Sequence, residues 1–281
     1  MSGYVDRGEL PGLVALVARD GDVHVDALGT MAFGGSAPMT RDAIFRIASI
    51  SKPITAAAAM ILLEECRLRL DDAIDRWLPE LANRRVLTSI AAELDATVPA
   101  QRAITVRDLL TSTMGFGSIM AAPDTYPIQR AIRDLRIGGD GPKLQSQWPT
   151  TDEWLRNLGS LPLLAQPGER WMYHVSLDVL GALIGRVAGQ PLGAFLRERI
   201  FEPLGMKVRG SSYRTTRSTA CRCSTPTPLT SSTAPPPARG APRRRSSRAA
   251  AASWPRSTTT TPSAKCCSPA ARRSSLAPRW S

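Results

Sequence analysis

Ser49 and Lys52 stand three residues apart at the head of an alanine-rich apolar run, Phe45-Arg46-Ile47-Ala48-Ser49-Ile50-Ser51-Lys52-Pro53-Ile54-Thr55. Residues at i and i+3 share one face of a helix, so the Ser49 hydroxyl and the Lys52 amine can meet. A hydroxyl is a weak nucleophile until a neighbouring base takes its proton. A lysine can be that base when burial or nearby positive charge lowers its pKa. Two fixed positions make an unspecific motif, and the following segment supplies the context. Pro53-Ile54-Thr55-Ala56-Ala57-Ala58-Ala59-Met60-Ile61-Leu62-Leu63 is apolar nearly all round, the pattern of a buried helix. The expectation is a partly desolvated lysine, held by partners, beside a serine that it can deprotonate.

Other chemistries find less support. The chain has two histidines, His24 and His174, and no metal-ligand spacing. Ser-His-Asp and Cys-His mechanisms are therefore poorly supported, and no metal or cofactor is expected. Cys66 is the one cysteine before residue 211, which fits a reducing compartment. The first residues, Met1-Ser2-Gly3-Tyr4-Val5-Asp6-Arg7, lack the pattern of a signal peptide, and no apolar run reaches membrane-spanning length. A cytoplasmic location and no membrane partner are the expectations.

The elements that must position Ser49 and Lys52 read as strands followed by helices. Leu13 to Val17, the Asp20-Gly21-Asp22 turn and Val23 to Leu28 form a β-hairpin pattern, with His24 on its solvated side. The Ser49 helix should run to about Cys66. Thr105 fits an N-cap for Val106 to Leu110. Ile128 to Leu135, a segment starting at Thr151, Ser176 to Val187 and Leu192 to Ile200 carry helical patterns. Leu177, Leu180, Leu183, Ile184 and Val187 mark the buried stripe of the third of these. Strands first and helices after is an α+β order, not alternating βαβ units.

Several segments in this order resemble the serine β-lactamase and penicillin-binding protein superfamily, in its class C-like branch that includes many esterases. Ser49-Ile50-Ser51-Lys52 matches the nucleophile motif. Leu68-Arg69-Leu70-Asp71-Asp72 matches the segment after the nucleophile helix. Leu109-Leu110-Thr111-Ser112-Thr113-Met114-Gly115 is similar to a Leu-Leu-Thr-His-Thr-Ser-Gly segment, with Ser112 and Met114 in place of His and Ser. Pro167-Gly168-Glu169 through Tyr173 resembles the approach to the tyrosine motif, and Phe201-Glu202-Pro203-Leu204-Gly205-Met206 is a further similar segment. The resemblance covers residues 11 to about 209. It implies a β-lactamase/transpeptidase-like α+β fold, an antiparallel sheet plus a helical subdomain. It also implies Ser49 as the acylated nucleophile, Lys52 as its proton acceptor, and Tyr173 as a second general base or acid. The substrate would be a small ester, amide or lactam. Val175 stands where the family often has Asn or Ser, which favours an esterase-like site over a true β-lactamase. His174 is a candidate substrate-binding donor in its place.

The composition changes after residue 210. From Ser211 onward there are twelve Arg, one Lys and no acidic residue, while residues 1–210 hold 23 basic and 24 acidic side chains. The overall charge of +12 therefore resides in the tail and does not mark residues 1–210 as nucleic-acid binding. Ser, Thr, Pro, Ala and Arg dominate 211–281, a composition expected to be disordered. Its charge would meet nucleic acid only non-specifically, and the lack of interleaved aromatics weakens a stacking role for single strands. The family's third element, a Lys-Thr-Gly-like or His-x-Gly-like strand that shapes the oxyanion hole, has no counterpart here.

Reading the codons of Ala249 to Cys267 two nucleotides out of phase permits Gly-Gly-Gly-Leu-Val-Ala-Thr-Val-Asp-Asp-Tyr-His-Ala-Phe-Gly-Glu-Met-Leu, a glycine turn followed by an amphipathic helix of family character. The expectation is a frameshift near residues 206 to 235, making 1–210 the N-terminal part of the fold and 211–281 out-of-frame. The fold would then be incomplete at the C-terminus, with poor folding and little activity. Resequencing codons 200 to 281 checks this: the second frame should continue to the missing third element, and its failure to do so removes the frameshift. Three readings follow from the sequence. They are a serine hydrolase, a catalytically inactive truncated family member, and a nucleic-acid binder acting through its tail.

Overall fold

A computed structural model describes residues 1–138 and 149–206 of the chain. The 211–281 tail, with the disorder, frameshift and nucleic-acid readings attached to it, lies outside the described residues. Helix α1 (Ser2–Asp6) precedes strands β1 (Gly12–Arg19) and β2 (Asp22–Gly29). Helix α2 (Ser51–Glu64) follows, then strands β3 (Arg85–Leu87) and β4 (Thr97–Pro99). Helices α3 (Val106–Leu110), α4 (Pro127–Asp134), α5 (Thr151–Ser160), α6 (Val175–Ala188) and α7 (Leu192–Leu196) follow, and the helix expected over Leu192 to Ile200 changes after Leu196 into a π-helical segment, Arg197–Phe201. This is an α+β arrangement of helices and small antiparallel sheets, as the resemblance implies.

The core is helical. Helix α6 packs against α2, α3 and α7. It buries Val175, Val179, Leu180, Leu183 and Ile184, while Leu177 and Val187 are half-buried at the stripe's edge. Helices α6 and α7 approach closely at Gly181, where a Cβ would stand 2.9 Å from the end of the Leu192 side chain. Gly189 ends α6 in the left-handed conformation (φ 71°) that glycine adopts without steric cost. Arg186 ties α6 to the loop before β3, donating to both Glu80 carboxylate oxygens (2.8 and 2.6 Å) and to the Trp77 carbonyl. The Thr105 cap is a full capping box. The Thr105 hydroxyl accepts from the Asp108 N–H, and the Asp108 carboxylate accepts from the Thr105 N–H.

Two expectations are corrected. Helix α2 is buried on one face only. Thr55, Ala58, Ala59 and Leu62 are covered, whereas Pro53, Ala57 and Met60 are exposed. The Ser49 turn itself precedes the α-helix as a 3-10 segment, Ala48–Ile50. The expected β1–β2 hairpin forms, and its antiparallel register pairs Val14 with Ala27, Leu16 with Val25 and Ala18 with Val23. Residues directly opposite in an antiparallel pair share a face, so these six make one wholly apolar face. Yet neither strand contributes a buried residue, and Leu16 is 57% exposed. Among the described residues this sheet has two strands, too few for independent stability.

Candidate active site

Ser49 is exposed at the middle of the 3-10 turn that feeds α2. Ala48, just before it, has φ 41°, a conformation that costs a non-glycine residue energy and is concentrated at functional sites. The Ser51 hydroxyl donates to the Ala48 carbonyl at 2.7 Å and closes the turn. Lys52 sits in the first turn of α2, half-buried, and its Nζ donates to Ser49 Oγ at 3.0 Å. The spacing read from the sequence therefore delivers the contact it implied.

Tyr173 comes from the irregular segment between α5 and α6. The Lys52 ammonium lies 4.7 Å from the centre of its ring, and Ser49 and Lys52 are the side chains that act on its hydroxyl. The Ser49 hydrogen bond holds the phenol below its ordinary value. Desolvation opposes this, and the Lys52 charge adds to it. Phenol, hydroxyl and ammonium thus form one connected set.

His174 borders this set. Its ring meets Tyr173 edge-on at 5.9 Å, and Nδ1 lies 3.4 Å from the Asp178 carboxylate one turn into α6. Its backbone (φ 94°, ψ −75°) lies in the rare, strained γ-turn region, at the point where the chain bends into the helix. Val175 is buried and offers no polar group. Among the described residues no cluster of three or more His, Cys, Asp or Glu could hold a metal ion.

The sequence did not point to Trp171, which is 63% exposed and stacked on Tyr173 with ring centres 5.8 Å apart. Nor did it point to the loop behind the tyrosine. Met172 N–H donates to the Ser112 carbonyl, and Ser118 N–H to the Tyr173 carbonyl. The available signal was the Leu109 to Gly115 motif itself. Its substituted positions are structural here. Ser112 is buried with φ 58°, and Met114 is fully buried.

Comparison with known proteins gives this constellation its setting. The Beta-lactamase family pattern matches residues 1–210. Protein Rv1367c of Mycobacterium tuberculosis is 42% identical over 206 residues, 73% of this chain and 48% of that protein. Esterase EstB of Burkholderia gladioli is 38% identical over 205 residues, 72% of this chain and 47% of the esterase. The solved structure of EstCE1, a hydrolase with promiscuous acyltransferase activity, superposes with a TM-score of 0.61 at 33% identity. That match covers 76% of this chain and 52% of that one. The chain spans about half the length of the curated relatives it matches. With serine, lysine and tyrosine brought together on an α+β scaffold, and the family pattern running from residue 1 to residue 210, this chain belongs to the Beta-lactamase family.

Proposed function

We propose that the chain is a serine hydrolase that forms an acyl-enzyme on Ser49, with small esters as its first substrates. The observation that carries this reading is the junction of Ser49, Lys52 and Tyr173, three side chains from two distant segments. A charged lysine ammonium has three donors and no acceptor. Its 3.0 Å contact therefore leaves the Ser49 O–H free to donate to Tyr173. Tyr173, as the phenolate, takes the Ser49 proton while Oγ bonds to the substrate carbonyl carbon. The same phenol then returns the proton to the departing alkoxide as the C–O bond breaks. In this assignment Tyr173 takes the proton and Lys52 stabilises the phenolate. Water would next release the acid and regenerate Ser49. An alcohol in place of water would give a new ester, in keeping with the acyltransferase activity of EstCE1. Esters are preferred to lactams because Val175 supplies no polar contact beside the site.

A second reading, an inactive family member, has one specific observation behind it. Among the described residues the apolar face of the β1–β2 hairpin is left with Leu16, Ala18, Val23 and Ala27 exposed, and the outer face of α2 with Pro53, Ala57 and Met60 exposed. One experiment separates the two. The whole chain is incubated with a p-nitrophenyl ester, whose good leaving group demands least from oxyanion stabilisation, and is then quenched in acid and peptide-mapped. An acyl mass on the Ser49 peptide is the expected result. No adduct, or one on another residue, overturns the hydrolase reading and leaves the inactive one.

A further inference from the structure

Tyr173 is delivered to Ser49 by a segment without regular structure, so something other than a helix or strand must fix it. Residues 164–173 are bound instead to residues 112–118. Leu164 N–H donates to the Gly115 carbonyl at 2.7 Å, Gly168 N–H to Thr113 at 2.8 Å and Met172 N–H to Ser112 at 2.8 Å. Ser118 N–H donates to the Tyr173 carbonyl at 2.9 Å. The two segments touch closely enough that a Cβ at Gly117 would stand 2.5 Å from the Tyr173 carbonyl oxygen. The register of the phenol therefore follows the 112–118 loop.

That loop hangs on one buried carboxylate. Asp108 is 3% exposed. Its oxygens accept from both Arg102 Nη atoms (2.5 and 2.8 Å), from the Thr105 N–H and hydroxyl (2.9 Å each) and from the Thr113 hydroxyl (3.3 Å). Its carbonyl accepts from the Thr113 N–H at 2.8 Å. Arg102 reaches the second segment too, since a Cβ at Gly168 would stand 2.4 Å from its Nη2. Burial pushes the carboxyl up, but the Arg102 and Thr105 hydrogen bonds together outweigh it and hold Asp108 below the usual carboxylate range. An ion so enclosed is fixed in place, and so are its partners.

We propose that Asp108 is the positioning residue for Tyr173, setting the phenol against Ser49 through Thr113, Arg102 and the 112–118 loop. The proposal builds on the Ser49 acylation reading, and its test has one arm that does not depend on that reading. In the full chain, the tyrosinate absorbance of Tyr173 is isolated by subtracting the Tyr173→Phe variant. It is titrated with Asp108 intact, in Asp108→Asn and in Thr113→Val. Among the described residues the charged or titratable side chains facing the phenol are Lys52 and His174, and neither substitution touches them. The phenol should titrate closer to its ordinary value in both variants, more so in Asp108→Asn. In the second arm, kcat for a p-nitrophenyl ester should fall about tenfold to a hundredfold in Asp108→Asn, as for a displacement of about 1 Å. KM should stay unchanged, as for an interaction used only in the transition state. A merely structural Asp108 would lower the folded fraction and leave the titration of the folded molecules where it was. An unmoved titration in the folded variants overturns the proposal. Should Asp108→Asn fail to fold, Thr113→Val, which removes a single hydroxyl, decides alone. Absence of acylation in the unsubstituted chain would count against the Ser49 reading only and leave the titration arm to decide this one.

Discussion

Replacing Lys52 with alanine should lower the rate of Ser49 acylation about 10³-fold, as expected when a fixed charge aimed at the reacting centre is removed. Two losses combine in that number. The ammonium donates to Ser49 Oγ at 3.0 Å and so orients the attacking oxygen. It also lies against the Tyr173 ring and hydroxyl, where its charge favours the phenolate. Because the residues act as a unit, Lys52→Ala combined with Ser49→Ala should be no worse than Ser49→Ala alone. Lys52→Arg distinguishes the two roles a lysine can play here. A guanidinium cannot be deprotonated in a protein, so it cannot accept the serine proton, yet it retains the charge. Partial recovery in Lys52→Arg relative to Lys52→Ala is the expected outcome. Stopped-flow acylation with a p-nitrophenyl ester measures it. An arginine variant as slow as the alanine variant would instead make Lys52 the proton acceptor, and an unaffected alanine variant would remove Lys52 from the mechanism.

The ease with which each part of this site could be read from the sequence follows from how local its cause is. Ser49 and Lys52 meet because i and i+3 are neighbours on one helical turn, a geometry that four residues of sequence determine. Thr105 was recognisable as a cap by its type and position, and Asp108, three residues on, completes the same local motif. Tyr173 is different. It reaches Ser49 only through tertiary contacts, so it emerged from the order of family segments and not from any spacing. The left-handed backbone of Ser112 and the strained turn at His174 are imposed by the surrounding fold on residues whose types do not advertise them. The one-sided burial of α2 escapes the sequence for a related reason. An alanine-rich run carries the same apolar signal on every face, and only the position of α6 decides which one is covered. Strands β3 and β4, three residues each, are too short to show alternation, and their pairing rests partly on Arg85 donating to the Thr97 hydroxyl and carbonyl.

These differences in locality bear on how the site can fail. The serine–lysine half is encoded in one turn and should survive changes elsewhere. The tyrosine half depends on a loop-to-loop junction that spans from Asp108 to Met172, so distant substitutions should reach the chemistry through the phenol first.

The phenol should accordingly dominate the pH dependence. Tyr173→Phe removes the hydroxyl while keeping the ring that stacks on Trp171 and faces Lys52, so packing is preserved and the proton acceptor is lost. General-base catalysis of this kind contributes typically about 10²–10⁴-fold, and a loss within that range is expected. The sign of the pH effect follows from which form works. The phenolate accepts the Ser49 proton, so acylation should rise with pH as Tyr173 deprotonates and level off above its pKa. The Ser49 hydrogen bond, and then the Lys52 charge, place that pKa below the ordinary phenol value of 10.0, so the rise should be complete at lower pH than for a free phenol. In Tyr173→Phe the limb should vanish, leaving a slow, flat residual rate. In Lys52→Ala it should persist but move upward, because the phenolate has lost its cation. Measuring kcat/KM against pH for the three proteins tests all of this together. A Tyr173→Phe profile that keeps the same limb at the same position would assign the titrating base to another group and remove the phenol from the proton path.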